Sequence, residues 1–136
     1  METPFVLIAK LLVKPDQVEE YLKIAQKADY AVRYSEQGTQ LHTFDASPDD
    51  PCTFKWTEFY QNDAALIVNF KKPQLQPYLT EHNRLADGEI KVTIYGNLAK
   101  GMVQFLNQSG VPRRPHPSKL GFAADLELSR LPASRG

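Results

Sequence analysis

The sequence is poor in the features that mark several protein classes. One cysteine, Cys52, stands among 136 residues, so neither an intrachain disulfide framework nor a cysteine-based zinc cluster is possible. Net charge is absent: 16 basic residues balance 16 acidic ones, where a nucleic-acid binder shows a basic excess. Long apolar runs are absent too. The longest near the start, Phe5 to Ala9, is closed by Lys10; it is too short for a membrane span, and no small-residue cleavage site follows a basic leader. Gly96 and Gly101 stand apart with no G-x-G, which excludes a phosphate-cradling loop and a dinucleotide fingerprint. There is no H-E-x-x-H, the histidines at 42, 82 and 116 lack metal-ligand spacing, and no serine sits in an elbow motif. These absences point to a globular protein in a reducing, cytoplasmic setting. They give no reason to expect nucleic acid, membrane, metal or a motif-anchored cofactor.

What is present divides unevenly. Residues 1–96 hold 10 Lys/Arg and 14 Asp/Glu, a net of −4, whereas residues 97–136 hold 6 and 2, a net of +4. The last forty residues also hold Pro112, Pro115, Pro117 and Pro132. This predicts an acidic folded body over 1–96 and a C-terminal extension over 97–136, made of a short helix and a basic, proline-punctuated tail.

Residues 4–13 are rich in Val, Ile and Leu with little polar interruption, which predicts a strand covered on both faces. Pro15 and Asp16 suit a helix start. Val18, Tyr21, Leu22, Ile24, Ala25, Ala28, Ala31 and Val32 then recur at helical spacing, predicting an amphipathic helix over 16–34. Residues 39–46 and 52–60 read as two strands joined by a turn at 47–51, hence an antiparallel hairpin. A turn centred near Asp49 sets His42 nearly opposite Trp56. Asn62 is a plausible N-cap for a helix starting at Asp63, with Leu66, Ile67 and Phe70 on its apolar side. Pro73 and Pro77 break and restart it, and Leu75, Tyr78, Leu79, His82, Leu85 and Ala86 carry the helical pattern on to Asp87-Gly88. Residues 89–95 alternate as a fourth strand. The order strand, helix, strand, strand, helix, strand predicts an α+β sandwich of the ferredoxin-like type, βαββαβ, with helices on one face of an antiparallel sheet. The uncovered face then calls for a second sheet, most simply from a symmetric dimer. Beyond residue 97, Leu98, Met102, Phe105 and Leu106 suggest a short helix, 111–118 looks extended, and Leu120, Phe122, Ala123, Leu126 and Leu128 form a last apolar cluster.

The chemistry-bearing residues gather on one strand face. Phe54, Trp56, Glu58 and Tyr60 share it, with Gln40, His42 and Phe44 on the paired strand. Core packing accounts for Phe54. Trp56 packs and still has an indole N–H to give. Glu58 amid aromatics is costly unless paired, so it stands equally for structure and for function. The Tyr60 hydroxyl has both a solvated and a ligand-binding reading. His82, between Tyr78 and Leu85 on the apolar side of its helix, reads either as a satisfied core histidine or as the acceptor of a phenolic proton in a cavity between helix and sheet. His42 has the same two readings. His116, Arg113 and Arg114 read as a solvated tail, and Cys52 as structural.

The stretch Val-Lys-Pro-Asp-Gln-Val-Glu-Glu-Tyr-Leu at residues 13–22 resembles the strand–turn–helix opening of the antibiotic biosynthesis monooxygenase family. Glu36-Gln37-Gly38-Thr39 is similar to it as well, and so, most specifically, is the run from Phe54 through Trp56, Glu58 and Tyr60 to Leu66. The resemblance covers roughly residues 5–95. It implies a homodimer whose two sheets form a dimeric α/β barrel, with a ligand cavity in each subunit. It also implies oxidation of electron-rich aromatics, such as quinols and polyketide anthrones, by molecular oxygen with no flavin, metal or haem. The family often places a histidine shortly after Ala-Ala-Leu; here Asn69 stands there, able to hydrogen-bond an oxyanion but not to act as a base. Lys10 on the first strand and Phe70 near a tryptophan's place depart from the haem-degrading branch. Trp56 and Tyr60 keep the four-residue spacing of the polyketide-tailoring branch with the aromatic order changed.

The sequence therefore predicts a cofactor-independent monooxygenase acting on a phenolic, quinol or polyketide-type aromatic. His82, Trp56 and Asn69 are the expected catalytic residues, and Tyr60, Glu58, His42, Phe70 and Tyr78 the expected substrate-binding ones. Two other classes compete: a non-redox polyketide cyclase or decarboxylase on the same scaffold, and a non-catalytic dimeric binding module using the basic tail.

Overall fold

The computed structural model describes residues 4–33, 39–62, 64, 66, 67, 73, 75–109 and 113–120. Strand β1 (Phe5–Leu12) leads through a short 3-10 turn at Pro15–Gln17 into helix α1 (Val18–Arg33). Strands β2 (Thr39–Ala46) and β3 (Thr53–Tyr60) follow, then helix α2 (Leu75–Leu85), strand β4 (Lys91–Tyr95), helix α3 (Lys100–Ser109) and strand β5 (Arg113–His116). Ala64, Leu66 and Ile67 also lie in helical backbone. Pro77 falls in the first turn of α2, where its missing N–H costs no helical hydrogen bond, so the helix starts two residues before it rather than after it.

The sheet order is β2-β3-β1-β4-β5. β1 pairs antiparallel with β3 and β4, and β2 with β3, which is the ferredoxin-like arrangement expected of alternating strands and helices. The tail strand β5 adds to β4 in parallel, with Val92 beside Arg113 and Tyr95 beside His116. Its residues are exposed, as expected of a tail, yet His116 stacks on Tyr95 with centroids 4.8 Å apart. Arg113 donates to Asn107 Oδ1 at 2.7 Å, tying the strand back to α3. The tail through His116 is thus part of the sheet, while Leu120 is 94% exposed and Phe122, Ala123, Leu126 and Leu128 lie outside the described residues.

Alternation sorts each strand's side chains by face. Phe5, Leu7, Ala9 and Leu11 of β1 are buried beneath the helices with Phe54, Trp56, Glu58 and Tyr60 of β3 and Ile94 of β4. Tyr21 and Ala25 of α1, Leu85 of α2, and Met102 and Leu106 of α3 close that core. Leu22 is exposed rather than part of the apolar stripe. The opposite sheet face carries Val6, Ile8 and an exposed Leu12, interrupted by Lys10, so β1 is apolar on both faces except at Lys10.

The hairpin register differs by two residues from the expected one: His42 faces Glu58, and Phe44 faces Trp56. The cause lies in the turn. Asp50 accepts from the Cys52 N–H at 2.9 Å and from the Thr53 hydroxyl at 2.9 Å, which centres the turn on Asp50 rather than Asp49. A slip of two keeps every side chain on its face.

Candidate active site

Three elements converge on Trp56. The α2 face carries Tyr78 and His82 one turn apart, the α1 face supplies Tyr21, and β3 presents the indole. Trp56 Nε1 donates to the Tyr78 hydroxyl at 2.9 Å. The Tyr78 and Tyr21 hydroxyls lie 2.6 Å apart, and Tyr21 Oη lies 2.7 Å from His82 Nδ1. His82 Nε2 lies 3.1 Å from the Gly88 carbonyl oxygen.

These contacts admit one polarity. A carbonyl only accepts, so His82 Nε2 carries the proton and Nδ1 of the neutral ring accepts from Tyr21. Tyr21 then accepts from Tyr78, and Tyr78 accepts from Trp56. Burial holds the His82 imidazole below its ordinary value, with the Gly88 carbonyl opposing, so the ring is neutral at pH 7. Burial also raises Tyr21, helped by Tyr78. Tyr78 is pushed up to about 12, first by burial, with the hydrogen bond from Trp56 pulling the other way. Gly88 adopts φ +103°, a conformation other residues rarely take, as the chain turns from α2 to β4. The Lys14 N–H to Leu85 carbonyl and Asp87 N–H to Leu12 carbonyl bonds, at 3.0 and 2.7 Å, pin this turn to the end of β1.

The His42 ring sits 4.7 Å from the Trp56 ring. His42 Nδ1 is 3.0 Å from Asp29 Oδ1 of α1. Glu58 is buried and accepts from the Tyr60 hydroxyl. Burial raises its carboxyl above the ordinary value, opposed by His42 and by that hydrogen bond. Phe44 stacks on Phe54 with centroids 5.0 Å apart and tilts against Trp56 at 4.6 Å.

The structure thus brings together Trp56, Tyr78, His82, His42, Glu58 and Tyr60. Asn69 and Phe70 lie outside the described residues. Trp56 and His82 are 4% and 2% exposed and pack among their neighbours. A groove of about 370 Å³ opens elsewhere, between α1 and the start of α2, lined by Ile24, Lys27, Ala28, Pro73, Pro77, Tyr78 and Glu81. Tyr78 joins the two: it lines the groove, and its hydroxyl is part of the chain to His82. Two polar residues were not singled out from the sequence. Tyr21 counted as one more apolar position of α1, and Asp29 was given no role. The available signals were a tyrosine on the stripe facing the aromatic strand and an acid three positions before the end of α1's apolar pattern. Among the described residues no group of three His, Cys, Asp or Glu is placed to hold a metal ion, and no helix is long and apolar enough to cross a membrane.

The profile of the antibiotic biosynthesis monooxygenase family matches residues 4–76, more than half of the chain. The chain belongs to this family. The family's fold is also seen in solved structures resembling this one. A Caulobacter crescentus protein given as a candidate antibiotic biosynthesis monooxygenase superposes with a TM-score of 0.67 at 16% identity, over 72% of this chain and 92% of that one. A conserved protein of Methanosarcina mazei gives 0.65 at 17%, over 69% and 92%. A Shewanella oneidensis protein gives 0.65 at 21%, over 73% and 96%. Identities this low speak for the shared fold alone. No curated protein matches the chain significantly. The family match ends at residue 76, so Tyr78, His82, α3 and β5 lie beyond it.

Proposed function

We propose that this protein is a cofactor-independent monooxygenase that oxidises an electron-rich phenolic, quinol or polyketide-type aromatic with molecular oxygen. The observation that carries the reading is the one-way hydrogen-bond chain from Trp56 through Tyr78 and Tyr21 to His82, whose member Tyr78 also lines a groove. The Tyr78 oxygen donates to Tyr21 and accepts from Trp56, which leaves one lone pair free. A phenol in the groove donates to that lone pair. Its proton passes inward as Tyr78 gives its own to Tyr21 and Tyr21 gives its own to His82. The phenolate left behind is electron-rich enough to reduce oxygen directly, so the scheme asks the protein only to bind the ring, remove the proton and keep water out.

The same reading includes a homodimer and a cytoplasmic setting. The uncovered sheet face carries the in-register row Leu41, Phe59, Val6, Tyr95 and His116, with Leu41 and Tyr95 45% and 46% exposed. A second copy packed on this row would bury it.

The test is oxygen consumption by metal-free, flavin-free protein given a hydroquinone or an anthrone. Wild type is expected to consume oxygen, and His82→Ala and Trp56→Phe to lose about 100-fold or more. Full rates in both variants would remove these residues from the site. Turnover without oxygen would instead favour a cyclase or decarboxylase.

A further inference from the structure

His42 is the site imidazole that the chain to His82 does not include. Asp29 Oδ1 lies 3.0 Å from its Nδ1, and a carboxylate only accepts, so Nδ1 carries a proton, and a ring that holds just this one proton has its lone pair at Nε2. Among the described residues no hydrogen bond reaches that Nε2. Asp29 is itself held: Arg33 Nη2 donates to its Oδ2 at 2.7 Å, and the guanidinium lies over the Tyr30 ring at 5.4 Å. The His42 and Asp29 side chains are only 11% and 18% exposed. Across the hairpin stands the buried Glu58. The two imidazoles thus differ in the nitrogen they leave available: His82 is hydrogen-bonded at both nitrogens, and His42 has one nitrogen to spare. Asp29 also follows directly on Ala28, which lines the groove.

We propose that His42 is a second base of the site, oriented by Asp29 and Arg33, which removes the carbon-bound proton in the step that releases water. The inference rests on the monooxygenase reading and deepens it. Oxidation of a phenol to a quinone by oxygen involves two separate proton losses from the substrate. The first is the phenolic proton, which the Tyr78 side takes. The phenolate then adds oxygen at a ring carbon, forming a carbon–oxygen bond and a peroxide, and the peroxide's terminal oxygen takes up that first proton. The same carbon still bears a hydrogen. His42 Nε2 takes it as a proton, the carbon–hydrogen electron pair becomes the second bond of the new carbonyl, the oxygen–oxygen bond breaks, and hydroxide leaves and is protonated to water. The substrate is oxidised by two electrons in this step and the peroxide is reduced by two. The two losses occur at different atoms of one planar molecule, which accounts for two bases in one site. Asp29 is a positioning residue: it acts through the His42 tautomer.

Two measurements on the full chain test this. Long-range proton–nitrogen NMR, with the three histidines assigned through their Gln variants, reads the tautomers directly. A bare Nε2 on His42 and a proton on Nε2 of His82 are expected, with the His42 signal altered in Asp29→Asn; a proton on His42 Nε2 overturns the proposal. Oxygen consumption with a phenol carrying deuterium at the oxidised carbon reads the step. His42→Gln is expected to lower kcat about 100-fold and enlarge the isotope effect, while Asp29→Asn lowers kcat with little change in KM. A His42→Gln variant at the wild-type rate and isotope effect overturns the His42 assignment alone. A wild type that consumes no oxygen with any phenol fails the monooxygenase reading and takes the proposed step with it.

Discussion

The two faces of the sheet are built from the same strands and solve different problems. The inner face buries Phe54, Trp56 and Tyr60 with a histidine, a carboxylate and two further tyrosines, and one chain of hydrogen bonds links the indole, those two tyrosines and His82. The outer face alternates with it residue by residue, and its hydrogen bonds are exposed: Asp45 accepts from the Thr43 and Thr57 hydroxyls. At one end it sets Leu41, Phe59, Val6 and Tyr95 in a row, and at the other it sets Lys55, Lys10 and Lys91 side by side. Like charges directly opposite across strands repel, so that end carries solvent-facing character while the apolar end awaits cover. Inner-face changes should therefore cost stability and activity, and outer-face changes should cost assembly.

The largest expected effect lies where the inner face is tightest. Gly96, after β4, has φ +137°, and a Cβ there would sit 2.5 Å from Phe5 Cβ. Gly96→Ala combines backbone strain with a clash at the β1 end, and should cost roughly 3 kcal/mol or more in denaturant unfolding. Tyr21→Phe leaves His82 Nδ1 without its donor and the Tyr78 proton without its acceptor. It should cost about 1–3 kcal/mol and uncouple groove from His82 in the oxygen assay. A variant as stable and active as wild type would break the chain's role on the inner face. On the outer face, Leu41→Lys should change unfolding by about 0.5 kcal/mol or less while shifting sedimentation toward monomer; an unchanged dimer would place the interface elsewhere.

The smallest effects are in pH dependence. Burial raises the Glu58 carboxyl above its ordinary 4.5. The folded state therefore keeps a proton that the unfolded chain releases. Its contribution is complete below about pH 4.5 and is lost as pH rises through the folded value. Glu58→Gln, which still accepts from Tyr60, should flatten that part of the stability profile. His82 runs the other way: its imidazole is held below the ordinary 6.5, so the acid limb of kcat/KM should fall below pH 6.5. A limb above it would place the chain's final acceptor elsewhere.

Much of this was legible in the sequence because burial on one face leaves a period. The alternation at Phe54, Trp56, Glu58 and Tyr60, the 3.6 period of α1, and the spacing of Tyr78 and His82 each follow from a single element meeting the core. The polar connections were not legible, because they join residues that sequence separates. Tyr21 and His82 are 61 positions apart, and Asp29 and His42 are 13. A tyrosine or aspartate on a helix looks the same whether its polar end meets water or a histidine. The hairpin register turned on the Asp50 side chain rather than on hydrophobic pattern. The extended backbone of 111–118 was legible, but its pairing was not, because Arg113, Arg114 and Pro115 have the composition of a solvated tail and only the edge of β4 gives that strand a place.

The most direct test of the central claim is isotopic. A hydroquinone or anthrone turned over by metal-free, flavin-free protein under oxygen-18 gas should yield product carrying one labelled oxygen atom, with the other in water. Unlabelled product, formed equally well without oxygen, would contradict the account and leave only the fold and its hydrogen-bonded aromatic core.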